Sequence, residues 1–319
     1  MTRPAAAATM LAVLGVTPTA EYAKAANTAI HARPMTAAPV RTRLRPPSAR
    51  ENVDMRAVSQ ELVDFANSHR QPPAPGFVIA STPRYQVTLQ PDLPIPGPNS
   101  VSYIRCRAEE AGRLIDEVRA IVRPHRLPVM WILDPGTEPQ NLAEFLIARG
   151  MPPDPSGPEV AVMVLSIEAH IAGPEVPGLE IHDALADSAT FNAADGVNRE
   201  AFQSSARPDL AANERRRQNQ LAAGNRRLLL ATVDGEPAGS AGISLFPPVG
   251  AIINGGAVRP KFRGRGVYRA MVAARLAMGR EAGASGLVVW GGHMSAPILG
   301  RLGFETVGWR KFYVDLSAV

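Results

Sequence analysis

Apolar positions along the chain recur with two periods, about 3.6 and 2, and the change from one to the other predicts an alternation of helices and strands. Residues 55–69 and 108–122 carry the helical period, with a strand-like stretch at 102–106 before the second. Residues 127–133 read as a strand, 141–148 as a helix with Leu142, Phe145 and Leu146 on one face, and 160–167 as a strand. Beyond Gly178, Ile181 opens a short strand, and 187–202 and 211–222 read as two helices. Residues 227–233 and 238–246, joined by Asp234-Gly235-Glu236-Pro237, have the pattern of an antiparallel hairpin. Residues 287–290, 295–302 and 307–314 then read as strand, short helix and strand.

Between the hairpin and that last trio lies the most informative stretch. Ile252, Ile253, Ala257 and Val258 form an apolar strand with Gly255-Gly256 inside it, where a bulge or a close backbone approach is expected, and Pro260 stops the ladder. Val267, Met271, Ala274 and Met278 then recur at the spacing of one buried helix face. Gly264 and Gly266 therefore sit at a helix N-terminus, where free N–H groups and the positive end of the helix dipole favour an anion. Between Gly256 and Arg280 there are seven Lys or Arg and no acid, a field suited to a polyanion. Neither the Walker pattern nor G-x-G-x-x-G is present.

Arg263-Gly264-Arg265-Gly266-Val267-Tyr268 resembles the acyl-CoA signature [QR]-x-x-G-x-[GA] of the GNAT superfamily of N-acyltransferases, departing from it at the last position. The strand-helix-strand order that follows, with Gly303-Phe304 after the short helix, is similar to the second half of that family. The resemblance implies an α/β fold with a mixed sheet, the GNAT-like acyl-CoA N-acyltransferase fold. Arg149-Gly150-Met151, preceded by a strand and a helix, looks like a degenerate copy of Arg301-Leu302-Gly303-Phe304 without the basic turn. The expected organisation is an extension over 1–54, a partial GNAT-like unit over 55–172 and a complete acetyltransferase unit over 173–319.

In the family the strand before the turn pairs with pantetheine, here at Ala257 and Val258, and one of its N–H groups polarises the thioester carbonyl. The pyrophosphate is expected on the N–H groups from Gly264 to Tyr268, with Arg263 and Arg265 adding charge. The resemblance thus implies acetyl-CoA as acyl donor and an amine as acceptor, a small molecule in our reading. Members often place a Tyr acid four residues before the G-F glycine and a carboxylate on the central strand; here those positions offer Leu299 and only Asn254. His293 and Ser295, which follow the strand ending at Trp290, are the candidate replacements, while Tyr268 and Tyr313 read as packing groups. Trp290, Trp309 and Phe312 read as core or cleft wall. The missing acid and carboxylate keep a second reading open, a non-catalytic acyl-CoA-binding or sensor module. No metal ligand set is assigned.

Composition adjusts this picture at two points. The net charge of +5 hints at nucleic acid, but residues 1–50 carry seven basic residues and one acid, so the rest of the chain sums to about −1. A nucleic-acid reading therefore rests on the arm alone, and none is expected for the folded part. The single cysteine, Cys106, rules out an internal disulfide framework and suits a reducing, cytoplasmic setting. The arm itself, rich in Ala, Pro, Thr and Arg, reads as disordered, with a targeting segment (Arg3 followed by the apolar run Ala5 to Val16) or a start at Met55 as alternatives. No run reaches the ~20 apolar residues of a membrane span, and a homodimer is compatible with the sequence.

Overall fold

The computed structural model describes residues 58–173, 175–201 and 207–319. The arm expected over 1–54, the start of the helix expected at 55 and the end of the one expected at 202 lie outside them. In chain order the elements are α1 (Gln60–Ser68), β1 (Val78–Ser81), β2 (Gln86–Leu89), β3 (Ser100–Ser102), α2 (Ala111–Val122), β4 (Val129–Leu133), α3 (Leu142–Ala148), β5 (Glu159–Ser166) and β6 (Leu179–Asp183). There follow α4 (Ser188–Ala201), α5 (Leu210–Ala223), β7 (Arg226–Val233), β8 (Glu236–Phe246), β9 (Gly250–Val258), α6 (Val267–Glu281), β10 (Gly286–Gly291), α7 (Ala296–Arg301) and β11 (Glu305–Asp315). The strand expected at 102–106 lies earlier, at 100–102, because Tyr103 takes a left-handed φ of 55° that ends the extended run.

All eleven strands join one mixed sheet in the order β1-β2-β3-β4-β11-β5-β10-β9-β8-β7-β6. Two series repeat within it: β3-α2-β4-α3-β5 and β9-α6-β10-α7-β11. In each, the first two strands are parallel and only briefly paired, Ser100 with Met130 and Val101 with Trp131 in one, Ala251 with Leu287 and Ile252 with Val288 in the other. The short helix ends alike in both. Gly150 (φ 79°) and Gly303 (φ 94°) take the left-handed conformation, and the next N–H reaches back five residues, Met151 to the Leu146 carbonyl at 3.0 Å and Phe304 to that of Leu299 at 3.1 Å. Met151 and Phe304 then enter the core. The fold is a tandem of one partial and one complete N-acyltransferase-like unit.

The two series exchange their last strands. β5 pairs antiparallel with β10 and β11, and β11 lies between β5 and β4, so neither series closes without the other. The core follows the exchange. Tyr313 of β11 packs among Trp131, Leu114 and Val118, while Met163 and Leu165 of β5 pack with Val272, Leu276 and Leu287. On the opposite face α1, capped by the Ser59 hydroxyl accepting from Leu62 N–H at 3.2 Å, lays Leu62 and Ala66 over Val162, Val164, Ile252 and Val288. Among the described residues no helix is long and apolar enough to cross a membrane.

Candidate acyl-CoA site and acceptor cleft

β9 is held by β8 along one edge, with a register shift between Ser240 and Gly242, opposite the bulge at Gly255 (φ 59°). Its other edge meets β10 only at Ala251 and Ile252. From there to Val258 that edge is open. The Val258 carbonyl accepts from Arg263 Nε at 3.1 Å on this side, and an extended residue presents its N–H and C=O to the same edge, so the Val258 N–H faces the opening too. Ala257 and Val258 bury their side chains; Ala257, opposite Ser240, turns its backbone groups to β8, so that of the two it is the Val258 backbone that faces the opening.

A short 3-10 turn over Pro260–Phe262 carries the chain from β9 to α6. Gly264 (φ 75°) and Gly266 (φ 90°) are both left-handed, a conformation that costs other L-residues about 1–2 kcal/mol. Gly266 is the N-cap of α6 and brings no capping side chain. The first backbone N–H to bond within the helix is that of Ala270, to the Gly266 carbonyl at 3.0 Å, so those of Val267, Tyr268 and Arg269 have no intrahelical acceptor. A Cβ on Gly264 would meet nothing within 4 Å, so this face of the turn is open. Arg263 also donates to the Ala201 carbonyl at 3.2 Å and so braces the turn, whereas Arg265 is exposed with its guanidinium 5.4 Å over the Phe262 ring. Val267 is core.

Beside this turn a cleft of about 390 Å³ reaches from the β9–β10 gap across the sheet to α4, α5 and the end of α1. Tyr268, Asn254, His293 and Ser295 line it; Ala257, Val258 and Arg263 to Val267 do not. His293 is exposed on the loop after β10. Ser295 is buried and its hydroxyl donates to the Gly292 carbonyl at 3.4 Å, at the start of α7. Tyr268 packs its ring beneath Gly256, where a Cβ would stand 2.6 Å from Cε2. Burial pushes its phenol up, and the Arg275 guanidinium pulls the other way. Leu299 is wholly buried in the core and Tyr313 belongs to the core around α2. Trp290 and Phe312 line the cleft, but Trp309 points outward, 55% exposed, while its neighbour Arg310 points in.

Three arginines in this cleft escaped the sequence reading. The buried face of α6 runs through Val267, Met271, Val272, Arg275, Leu276 and Gly279, with Ala274 and Met278 at its margin. The signal was an arginine four residues after Met271, on the apolar stripe itself. Arg275 donates to the carbonyls of Met271 (3.0 Å), Gly242 and Asn254 (3.3 Å each). Arg310 donates to the Ala66 and Asn67 carbonyls at 3.1 and 3.4 Å and stacks on Trp290 at 4.3 Å; burial pushes its guanidinium down to about 10. Arg226 reaches Gln71 Oε1 at 3.4 Å and stacks on Phe77 at 4.8 Å.

His69, edge-on to Phe65 and tilted against Phe246 with ring centroids 4.7 and 4.6 Å apart, registers two of them. Burial first, then Arg310 and Arg226, lower its pKa to about 4. The unfolded chain binds this proton below about 6.5 and the folded chain only below about 4, so stability rises with pH across that window and falls on acidification by ~3 kcal/mol in total. His69→Gln should flatten that decline in denaturant titrations between pH 6.5 and 4.5; an unchanged slope would place the acid sensitivity elsewhere.

A parallel strand pair that opens beside a glycine turn at a helix N-terminus, in a mixed sheet of this order, defines the acyl-CoA N-acyltransferase fold. Residues 192–304 match the model of the acetyltransferase (GNAT) family, and the chain carries a GNAT domain over that span. Among solved structures it resembles a functionally unknown conserved protein from Staphylococcus epidermidis (TM-score 0.57, 16% identity, 81% of this chain and 99% of that one). It also resembles a GCN5-related N-acetyltransferase from Kribbella flavida (0.54, 18%, 80% and 91%). A tandem GNAT protein from the clavulanic acid biosynthesis pathway is similar too (0.52, 17%, 82% and 89%). At these identities the likeness is one of fold. No curated protein matches the chain.

Proposed function

We propose that the protein transfers an acetyl group from acetyl-CoA to an amine on a small molecule. The observation that carries this reading is the open edge of β9 at Val258, leading directly into the Gly264–Gly266 turn at the N-terminus of α6. Acetyl-CoA supplies the activated acyl group when bound. The N–H groups of Val267, Tyr268 and Arg269 would hold its pyrophosphate, with Arg265 free to add charge and Arg263 bracing the turn. The Val258 N–H presents a fixed donor toward the gap, the kind of group that stabilises an oxyanion.

With Leu299 in the core and Asn254 the polar residue on β9, proton transfer falls to His293, the exposed imidazole on the cleft, with water at hand. Its base role requires the neutral ring. His293→Ala should lower kcat/KM by about 10²- to 10⁴-fold. Tyr268→Phe should stay within about tenfold, less than general acid catalysis is usually worth. A kcat/KM kept within about tenfold in His293→Ala would clear His293 of the role. Ser295, already committed to Gly292, shapes the turn that carries His293.

The buried Leu299 favours one competing reading, a module that binds acyl-CoA without turning it over. Release of free thiol from acetyl-CoA across a panel of amines separates the two. Turnover with any amine excludes the passive module; stoichiometric binding with no thiol release excludes the enzyme.

A further inference from the structure

The cleft is more cationic than amine recognition needs. Its lining holds five arginines, Arg216, Arg226, Arg227, Arg275 and Arg310, against two carboxylates, Asp92 and Asp195. Both acids are already taken: Asp92 pairs with Arg215 at 2.6 Å and Asp195 with Arg216 at 2.8 Å. Among the described residues Arg226, Arg275 and Arg310 form no ion pair. Arg310 Nε is buried without a hydrogen-bond partner, while the Arg275 guanidinium is turned to the Tyr268 phenol. A cleft built to take an amine by charge would be lined with unpaired carboxylates, and this lining offers none.

Two of these arginines converge on one place. Arg310 comes from β11 and stacks on Trp290; Arg226 comes from β7 and stacks on Phe77. His69, at the end of α1 between them, feels the charge of both. Arg310 spends Nη2 on the carbonyls that end α1, while among the described residues the Arg226 side chain makes one hydrogen bond, the long one to Gln71. Guanidinium planes fixed by aromatic rings, with donors left over, suit a planar or tetrahedral oxyanion. Water cannot neutralise such charges inside a narrow cleft as it does at a surface.

Resting on the acetyl-transfer reading of this same cleft, we infer that the acceptor is an amine that also carries an anionic group, carboxylate or phosphate, seated between Arg226 and Arg310. The anion holds the acceptor at the α1 end, and its amine extends toward the β9–β10 gap and His293. Polycationic amines are disfavoured by the same charges.

The test is binding of matched pairs, measured by calorimetry in the presence of CoA: glutamate, glycine and β-alanine against their amides, and O-phosphoethanolamine against ethanolamine, with spermidine as the polycation. At least one anionic member should bind tenfold or more tighter than its neutral partner, the carboxylate and phosphate arms showing which oxyanion is preferred. Arg226→Gln should erase that preference while CoA affinity stays as in the wild type, since Arg226 lies away from the α6 turn. Arg226→Lys should restore part of it. Equal binding of acids and amides, binding by none of the anionic members, or a preference untouched in Arg226→Gln would each overturn the inference. Failure of the acetyl-transfer reading looks different: the anion preference persists, but no member of the panel releases thiol from acetyl-CoA.

Discussion

Expressed alone, residues 175–319 are expected not to fold, although they contain the whole stretch that matches the family. The reason is β5, which lies outside that fragment and fills the gap between β10 and β11. Six register pairs join it to each neighbour, so its loss opens two sheet edges in the middle of the structure. Val160, Val162, Met163, Val164 and Leu165 are all buried there. At about 1.5–3 kcal/mol for each large apolar side chain, their removal forfeits on the order of 10 kcal/mol, as much as the entire stability of an ordinary domain. The loss of α1 also uncovers Ile252 and Val288. Circular dichroism and denaturant melts of the fragment should show no cooperative transition, and mixing it with 58–173 should restore one. A soluble 175–319 fragment that melts cooperatively and binds CoA would show the exchange to be dispensable.

That dependence on β5 also marks where sequence reading stops. A continuous apolar run shows that 160–167 is a buried strand, but every residue from Val160 to Leu165 is apolar, and such a run names no partner. The exchange is decided by which edges remain open once the parallel pairs β3–β4 and β9–β10 have formed, a tertiary matter. β1 and β2 went unread because each is four residues long in a segment broken by proline. The turn before α6 was legible for the opposite reason. Its chemistry is local: glycines where φ must be positive, no capping side chain, basic residues on either side. The repeat was legible from a strand and a helix leading into Arg149-Gly150-Met151, since a glycine after a helix followed by an apolar residue specifies the same helix ending wherever it occurs. The cleft arginines were not. Arg310 and Trp309 are neighbours on one strand, and hydrophobicity favours burying the tryptophan; the structure buries the arginine because the α1 carbonyls and Trp290 stand ready to receive it.

Gly266→Asp should abolish CoA binding and leave the fold intact, and the two halves of that expectation have separate causes. On the folding side, an Asp at φ 90° costs about 1–2 kcal/mol in backbone strain. A carboxylate at the first turn of α6, where the existing cap brings no side chain, returns about 0.3–1 kcal/mol through the helix dipole. The net is a small destabilisation. On the binding side, the new carboxylate sits on the N–H groups of Val267, Tyr268 and Arg269 that a pyrophosphate would use, and repels it. Hydrogen bonds to a charged group are worth ~1.5–3 kcal/mol each, so losing two costs about 3–6 kcal/mol, more than a hundredfold in affinity. Gly266→Ala isolates the strain, since it adds the Cβ without the charge, and should lose far less. Calorimetry with CoA on both variants, each first shown to melt cooperatively, decides the matter. Near-wild-type affinity in folded Gly266→Asp would remove the pyrophosphate from this turn, and equal losses in Ala and Asp would show that the shape of the turn, and not its charge, is what CoA reads.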